Sequence, residues 1–301
     1  MSLQIKPLHP VFVAEISGVD LRKVPTPEEV EAIVKAIDQY AVVVFRNEEP
    51  ITQDQQMAFT RAFGPLDLGF KRVSNRHTRL QYHELADISN VGENNEVVDL
   101  NHFRILNNMA NQMWHADSSF QKPGARYSML HSVINPSKGG ETEFADMRHA
   151  YDTLPEDLKQ EIEGLEAEHF VFHSRFLLGD TGYSETQVSA LPPVRWPIVR
   201  THPGSGRKHL FIGAHAREVI GLPTPVGRML LSDLLEHATQ RENVYRHEWR
   251  VGDLVIWDNR CTLHRGRRYN LSERRELRRS TTLDVDYDPA AQPELEASAA
   301  G

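Results

Sequence analysis

The tightest constraint on the fold comes from three side chains that the chain must bring together from distant positions. His115 and Asp117 stand two apart in Trp114-His115-Ala116-Asp117-Ser118-Ser119-Phe120, and His264 follows far downstream in Trp257-Asp258-Asn259-Arg260-Cys261-Thr262-Leu263-His264-Arg265. In an extended segment residues two apart project to the same face, so the His115 imidazole and the Asp117 carboxylate can bind one ion. With His264 they form a two-histidine, one-carboxylate set, which holds ferrous iron on one face and leaves positions open for oxygen chemistry. Three such ligands with one water could equally serve a hydrolytic zinc ion. A His-x-Asp pair alone is common, and its ordinary reading is a solvated polar pair at a strand end. The residues around His264 carry the argument further.

Arg275 lies 11 residues beyond His264 and Arg279 four beyond that, in Arg274-Arg275-Glu276-Leu277-Arg278-Arg279-Ser280-Thr281-Thr282. Thr142 lies 27 beyond His115, after Gly139-Gly140-Glu141. In a strand Arg275 and Arg279 share one face and Arg274 and Arg278 the other, so two of the four guanidinium groups can point inward together. The alternative is a solvated basic run. At these residues the chain resembles the taurine dioxygenase family of Fe(II)- and 2-oxoglutarate-dependent oxygenases, which carries the same ligands, threonine and arginines in the same order and spacing. The likeness runs from Pro7-Leu8-His9-Pro10 through Asp87-Ile88-Ser89-Asn90-Val91 to Arg200-Thr201-His202 and Gly213-Ala214-His215-Ala216. It is strongest with members that act on aryloxyacetic acids in the degradation of phenoxyacetate herbicides.

The resemblance implies a mixed, mainly β fold: a double-stranded β-helix (jelly roll) with peripheral α-helices and the iron between its two sheets. It implies His115, Asp117 and His264 as metal ligands. Arg275 would hold the far carboxylate of 2-oxoglutarate, bidentately as a planar guanidinium can, with the Thr142 hydroxyl adding a second bond. Arg279 would hold the acidic head of the prime substrate. Asn111, Trp257, His202 and a cation of the Lys71-Arg72 pair are further substrate-side positions, with a core tryptophan and a structural histidine as the plain readings of Trp257 and His202. The chain departs from its phenoxyacetate-cleaving relatives near Glu218, where they carry a histidine. The implied reaction uses Fe(II), O2 and 2-oxoglutarate, with ascorbate as an aid in vitro. It hydroxylates the carbon beside the ether oxygen, giving a phenol and glyoxylate with succinate and CO2. The alternative within the class is hydroxylation of taurine, an alkyl sulfonate or another small organic acid.

Composition narrows the partners. The 301 residues are 40% hydrophobic and 25% charged, which is ordinary globular usage, and no internal repeat or break in composition divides them into more than one domain. A net charge of −8 offers no overall basic field for nucleic acid, so a small anionic aromatic substrate must be captured by a local cationic pocket. The lone Cys261, the absence of a charged-then-apolar leader and of a long apolar run point to a cytoplasmic protein outside the membrane. Homo-oligomer formation is left open by the sequence.

The elements read as follows. Thr26, Pro27, Glu28 and Glu29 start a helix whose Val30, Ile33, Val34 and Ile37 share a face. Ala41 to Phe45 is a buried strand, and Thr52 with Gln55 caps a second helix that Gly64-Pro65 ends. Residues 67–112 read as an irregular stretch, either a lid carrying Phe70, Lys71 and Arg72 or a floppy surface loop. The first two ligands should sit on a strand, followed by another at Arg126 to Ile134. Pro155 opens a helix with Leu158, Ile162 and Leu165, an irregular insert runs from Ser174 to Pro197, and a strand follows near His209 to Gly213. A later helix has Met229, Leu230, Leu234 and Leu235 on one face. Leu254 to Trp257 and Thr281 to Asp284 are strands, and residues 286–301 a frayed tail.

Overall fold

The computed structural model describes residues 3–73 and 78–286, without the side chains of Arg72 and Val73. The sequence tail from 287 onward, and the Arg72 side chain expected at the substrate, lie outside the described residues. Strands β1 (Gln4–Pro7) and β2 (Ala14–Ser17) form a hairpin, then α1 (Pro27–Tyr40) leads into β3 (Val42–Phe45). The start of α1 is as expected: Thr26 and Glu29 bond each other's backbone N–H in a capping box. Helix α2 (Gln53–Arg61) has the same box from Thr52 and Gln55.

Residues 67–112 are less irregular than their composition suggests. They contain β4 (Ala86–Ser89) and α3 (Phe103–Met109). The chain continues through β5 (Ala125–Ile134), β6 (Thr142–Asp146), α4 (Met147–Asp152), α5 (Glu156–Ile162) and β7 (Glu166–His169). The expected irregular insert instead holds α6 (Val171–Leu177), α7 (Glu185–Ala190) and β8 (Val194–Pro197). Its helices are short, and one turn of hydrophobic periodicity is too little to distinguish a helix from a loop. Then come β9 (Val199–Thr201), β10 (Lys208–Leu210), β11 (Ala216–Val219) and α8 (Thr224–Ala238). The buried stripe of α8 is Gly227, Leu230, Leu231, Leu234 and Ala238. Met229 points outward and is 61% exposed, so the expected face was rotated. The last strands are β12 (Val244–His247), β13 (Leu254–Asp258), β14 (Thr262–Gly266) and β15 (Glu276–Leu283).

Two sheets frame the centre. The larger has seven strands in the order β1-β2-β3-β13-β5-β15-β4, and a smaller one has the order β12-β6-β14. Period-two alternation divides the larger sheet's residues between its faces. Val43, Phe45, Tyr127, Met129, Leu254 and Ile256 pack with Ile33 and Ile37 of α1 and Phe59 of α2. Val42, Val44, Leu130, Val255, Trp257 and Leu277 pack instead with Phe144 of the smaller sheet. A third cluster joins Ala145 and Leu263 of the smaller sheet to Leu230, Leu231 and Leu234 of α8. The fold is therefore mainly β with helices outside, and polar side chains that interrupt the layer between the sheets form the site.

Candidate functional site

His115 and His264 approach through their backbones. Each amide donates to the other's carbonyl, at 3.0 Å from His115 and 2.9 Å from His264. This reciprocal pair is an isolated bridge, so the first two ligands do not sit on a strand as the sequence suggested. Asp117 follows in a turn in which Ser118 has φ +50°, and Asn259 Oδ1 accepts from the Asp117 amide at 3.0 Å. His264 is carried by β14, and the short link Asn259-Arg260-Cys261 joins it to β13 of the larger sheet.

The three side chains converge. His115, Asp117 and His264 each place one ligand atom within 4.8 Å of the others, and all are buried. His115 Nε2 lies 3.7 Å from Asp117 Oδ1, and His264 Nε2 lies 3.8 Å from Asp117 Oδ2. His115 Nδ1 is 2.8 Å from the Met113 carbonyl, a bond that fixes the proton on Nδ1 and leaves Nε2 as a lone pair. Burial lowers the pKa of both histidines, which keeps them in the neutral, metal-binding form. Burial pushes the Asp117 carboxyl up, but Arg279, His264, His115 and the Ser128 hydroxyl outweigh it and hold its pKa at about 2. Two neutral imidazoles and a carboxylate with their lone pairs turned together fit a divalent metal ion.

Two cavities meet here. One is lined by Thr142, Trp257, His264, Arg275, Tyr269 and Arg279, among others. The other is lined by Phe70, Lys71, Arg104, Asp117, Arg175 and Arg279, again among others. Ile88, Asn108, Asn111 and Arg279 belong to both. The expected parity of the arginines is seen: Arg275 and Arg279 face the cavities, whereas Arg278 turns the other way to the Ile51 carbonyl.

Arg275 is 6% exposed and spans the end of the first cavity. Its Nη2 donates to the Gly140 carbonyl at 2.9 Å and its guanidinium lies 5.2 Å from the centre of the Tyr269 ring. Its Nε is buried without a partner, and burial lowers its pKa to about 10. A carboxylate would satisfy both the orphan donor and the charge. Gly140, with φ +74°, permits this placement, since a Cβ there would stand 2.9 Å from Arg275 Nε. Thr142 Oγ1 accepts from Trp249 Nε1 at 3.1 Å, leaving its own proton for an acceptor in the cavity.

Arg279 is engaged otherwise than expected. Its Nη1 lies 2.6 Å from Asp117 Oδ1, so it touches a candidate metal ligand as well as both cavities. Asn111 lies at the junction, 3.5 Å from Asn108 Oδ1. Trp257 is fully buried, its ring 4.5 Å from that of His264, and it walls the first cavity while remaining a core residue. Lys71 lines the second cavity, but its ammonium donates to the His83 carbonyl at 2.6 Å and to the Leu85 carbonyl. Burial, with Arg279 nearby, lowers its pKa to about 8.

His202 fits its plain structural reading. It is fully buried and lines neither cavity. Its Nε2 is 3.0 Å from Asp258 Oδ2, and its Nδ1 accepts from the Ser205 amide at 3.0 Å, so both ring nitrogens are occupied structurally. Cys261 is buried and burial pushes its thiol pKa up, which fits a small core residue better than a nucleophile.

Sequence reasoning missed the residues that steady the candidate ligands. Ser128 donates to Asp117 Oδ2 at 2.7 Å, and Asn259 Nδ2 donates to Ser128 Oγ at 2.9 Å. Ser128 sits between apolar residues of β5 that face outward, so its inward polarity was the available signal. Asn259 and Tyr269 lie close in sequence to His264, and nothing in their spacing marks them.

The family model described as taurine catabolism dioxygenase TauD, TfdA family matches residues 4–281. The chain is 61% identical to the alpha-ketoglutarate-dependent 2,4-dichlorophenoxyacetate dioxygenase of Cupriavidus pinatubonensis over 284 residues, covering 94% of this chain and 99% of the relative. It is 58% identical to the dioxygenase of the same description from a Burkholderia species, covering 94% of this chain and 95% of that one. Among solved structures, that of AAD-2 in complex with Mn(II) and N-oxalylglycine superposes with a TM-score of 0.87 at 42% identity, covering 95% of this chain and 98% of that chain. The chain belongs to the TauD, TfdA family of 2-oxoglutarate-dependent dioxygenases.

Proposed function

We propose that the protein is an Fe(II)- and 2-oxoglutarate-dependent dioxygenase that cleaves aryloxyacetic acids of the 2,4-dichlorophenoxyacetate type to a phenol and glyoxylate, as part of aromatic catabolism. The likeness to two dioxygenases named for that substrate, each over 94% of the chain, carries the reading. The same resemblance supports a jelly-roll core within one domain, its two walls being the seven-stranded and three-stranded sheets.

His115, Asp117 and His264 would hold the iron, which, when bound with 2-oxoglutarate and O2, supplies the oxidising power for a C–H bond. The chain's own residues do the positioning. Arg275 and Thr142 bind the far carboxylate of 2-oxoglutarate, and Tyr269 and Trp257 wall its cavity. Asn111 and Arg279 stand where the two cavities join, Arg279 orienting both Asp117 and the acid of the prime substrate. Phe70 and Lys71 bound the substrate side. Hydroxylation beside the ether oxygen gives a hemiacetal that collapses without further help, so the protein needs no acid to expel the phenol.

The test is anaerobic reconstitution with Fe(II), 2-oxoglutarate and ascorbate, followed by O2 and a panel of acids. Phenol from ring-substituted phenoxyacetates, matched by succinate, is the expected outcome. Sulfite from taurine or an alkyl sulfonate, with no phenol, would move the substrate and leave the enzyme class unchanged. Turnover with zinc and without 2-oxoglutarate would replace the reading by a hydrolase.

A further inference from the structure

The substrate-side cavity contains a guanidinium that the proposed reaction does not use. Arg175, near the end of α6, lines this cavity with Asp117, Ser118 and Arg279, yet is only 8% exposed. Its Nη2 makes a long bond of 3.4 Å to Asn107 Oδ1, and it also bonds the Tyr183 hydroxyl. Its Nε is buried without a partner. Each of the cavity's other long-chain cations already has a protein partner. Arg104 pairs with Asp87 at 2.9 Å, Arg279 with Asp117 at 2.6 Å, and Lys71 donates to two backbone carbonyls. The Asp180 carboxylate accepts from the Tyr183 hydroxyl.

Among the described residues no carboxylate pairs directly with this buried cation, Asp180 reaching it only through Tyr183, and burial lowers its pKa. The cost of that burial is removed if the missing acceptor arrives with a ligand. Aromatic packing holds the group in place for that. The guanidinium carbon lies 4.2 Å from the centre of the Phe70 ring, and Phe172 and Tyr183 meet the same ring edge-on at 5.8 and 6.0 Å. Stacking uses the face of the guanidinium and leaves its N–H edge for a planar oxyanion.

We propose that Arg175 is a specificity-determining residue whose N–H edge takes a carboxylate oxygen of the aryloxy acid, so that the acid is shared between Arg175 and Arg279. This rests on the aryloxyacetate reading above. It predicts that the cavity selects for a carboxylate with its aromatic ring close by, since the ring falls among Phe70, Tyr183 and Phe103.

The experiment measures binding apart from turnover. Phenoxyacetate and its neutral isostere phenoxyacetamide are titrated, without O2, into protein loaded with Fe(II) and 2-oxoglutarate. The wild type, Arg175→Lys and Arg175→Leu are compared. The expected result is that Arg175→Leu binds the acid about 10- to 150-fold more weakly, with little change for the amide, and that Arg175→Lys recovers part of the loss. Equal losses for acid and amide would assign Arg175 to packing and overturn the proposal, as would unchanged affinity for the acid. If Arg175→Leu fails to fold by circular dichroism, Arg175→Lys decides the matter through the same acid-to-amide ratio. Wild-type binding of the acid with no phenol released once O2 is admitted would sink the proposed reaction and leave the anchor standing.

Discussion

At the scale of single residues, the two inward arginines should separate by function. Arg275→Gln is expected to raise the KM for 2-oxoglutarate about 10- to 150-fold, the worth of a charge-assisted hydrogen bond. The KM for the aryloxy acid should change little. Gly140→Ala should give a smaller defect of the same kind, because its Cβ would press on Arg275 Nε and its φ is positive. Arg279→Gln should raise the KM for the acid and lower kcat, and succinate should then exceed phenol as misplaced substrate escapes oxidation. Initial-rate titrations of each cosubstrate against the three variants check this. A common loss for one cosubstrate in both arginine variants would contradict the assignment.

At the scale of elements, the site depends on one turn and the strands that brace it. Ser128→Ala removes the hydrogen bond from β5 to Asp117 Oδ2. It is expected to weaken Fe(II) binding about 10- to 100-fold, as loss of a ligand's hydrogen-bond partner does. Competition with a fluorescent chelator measures that directly. By contrast, Thr26→Ala removes the cap of α1, far from the ligands, and should cost about 1 kcal/mol of stability without altering metal affinity. These two sites also show what was legible in sequence. Caps, β-branched runs such as Val42 to Phe45 and the alternation of arginines around β15 are local signals, so each was read correctly. Period two in His115 and Asp117 predicts a strand where the chain makes a turn. The pairing that ends after one bridge is a tertiary fact with no local trace. Helices α6 and α7 are too short for their periodicity to show in the insert expected from Ser174 to Pro197, and the commitment of His202 to Asp258 depends on a neighbour 56 positions away.

At the scale of the whole molecule, buried neutral histidines are expected to lower stability in acid. Burial lowers the pKa of His131 to about 4 and of His169 and His209 to about 3. In the unfolded chain each returns to about 6.5. The unfolded state therefore binds more protons below pH 6.5, and stability falls as the pH drops from there toward the folded values. Each histidine contributes about 1.4 kcal/mol per pH unit over that interval. Urea midpoints measured between pH 7 and 5 should decline. His131→Gln, which removes one such group, should make the decline shallower; an unchanged slope would count against this origin.

The reciprocal amide bonds between His115 and His264 have a consequence for supply as well as for structure. Because backbone pairing sets the two imidazoles side by side, the site is expected to keep its shape without the ion. Chelation should leave the far-UV circular dichroism unchanged and lower Tm only by the mass-action stabilisation that the ion provides. The stripped protein should reload on mixing, without a refolding step. Such a ready socket discriminates poorly among divalent ions of similar size, and their affinities then follow the general order of the first transition series. Mn(II), Co(II) and Zn(II) should enter as readily as that order allows. Which ion occupies the enzyme in a cell becomes a question of the cell's metal pools, and activity a report on how much ferrous iron those pools contain.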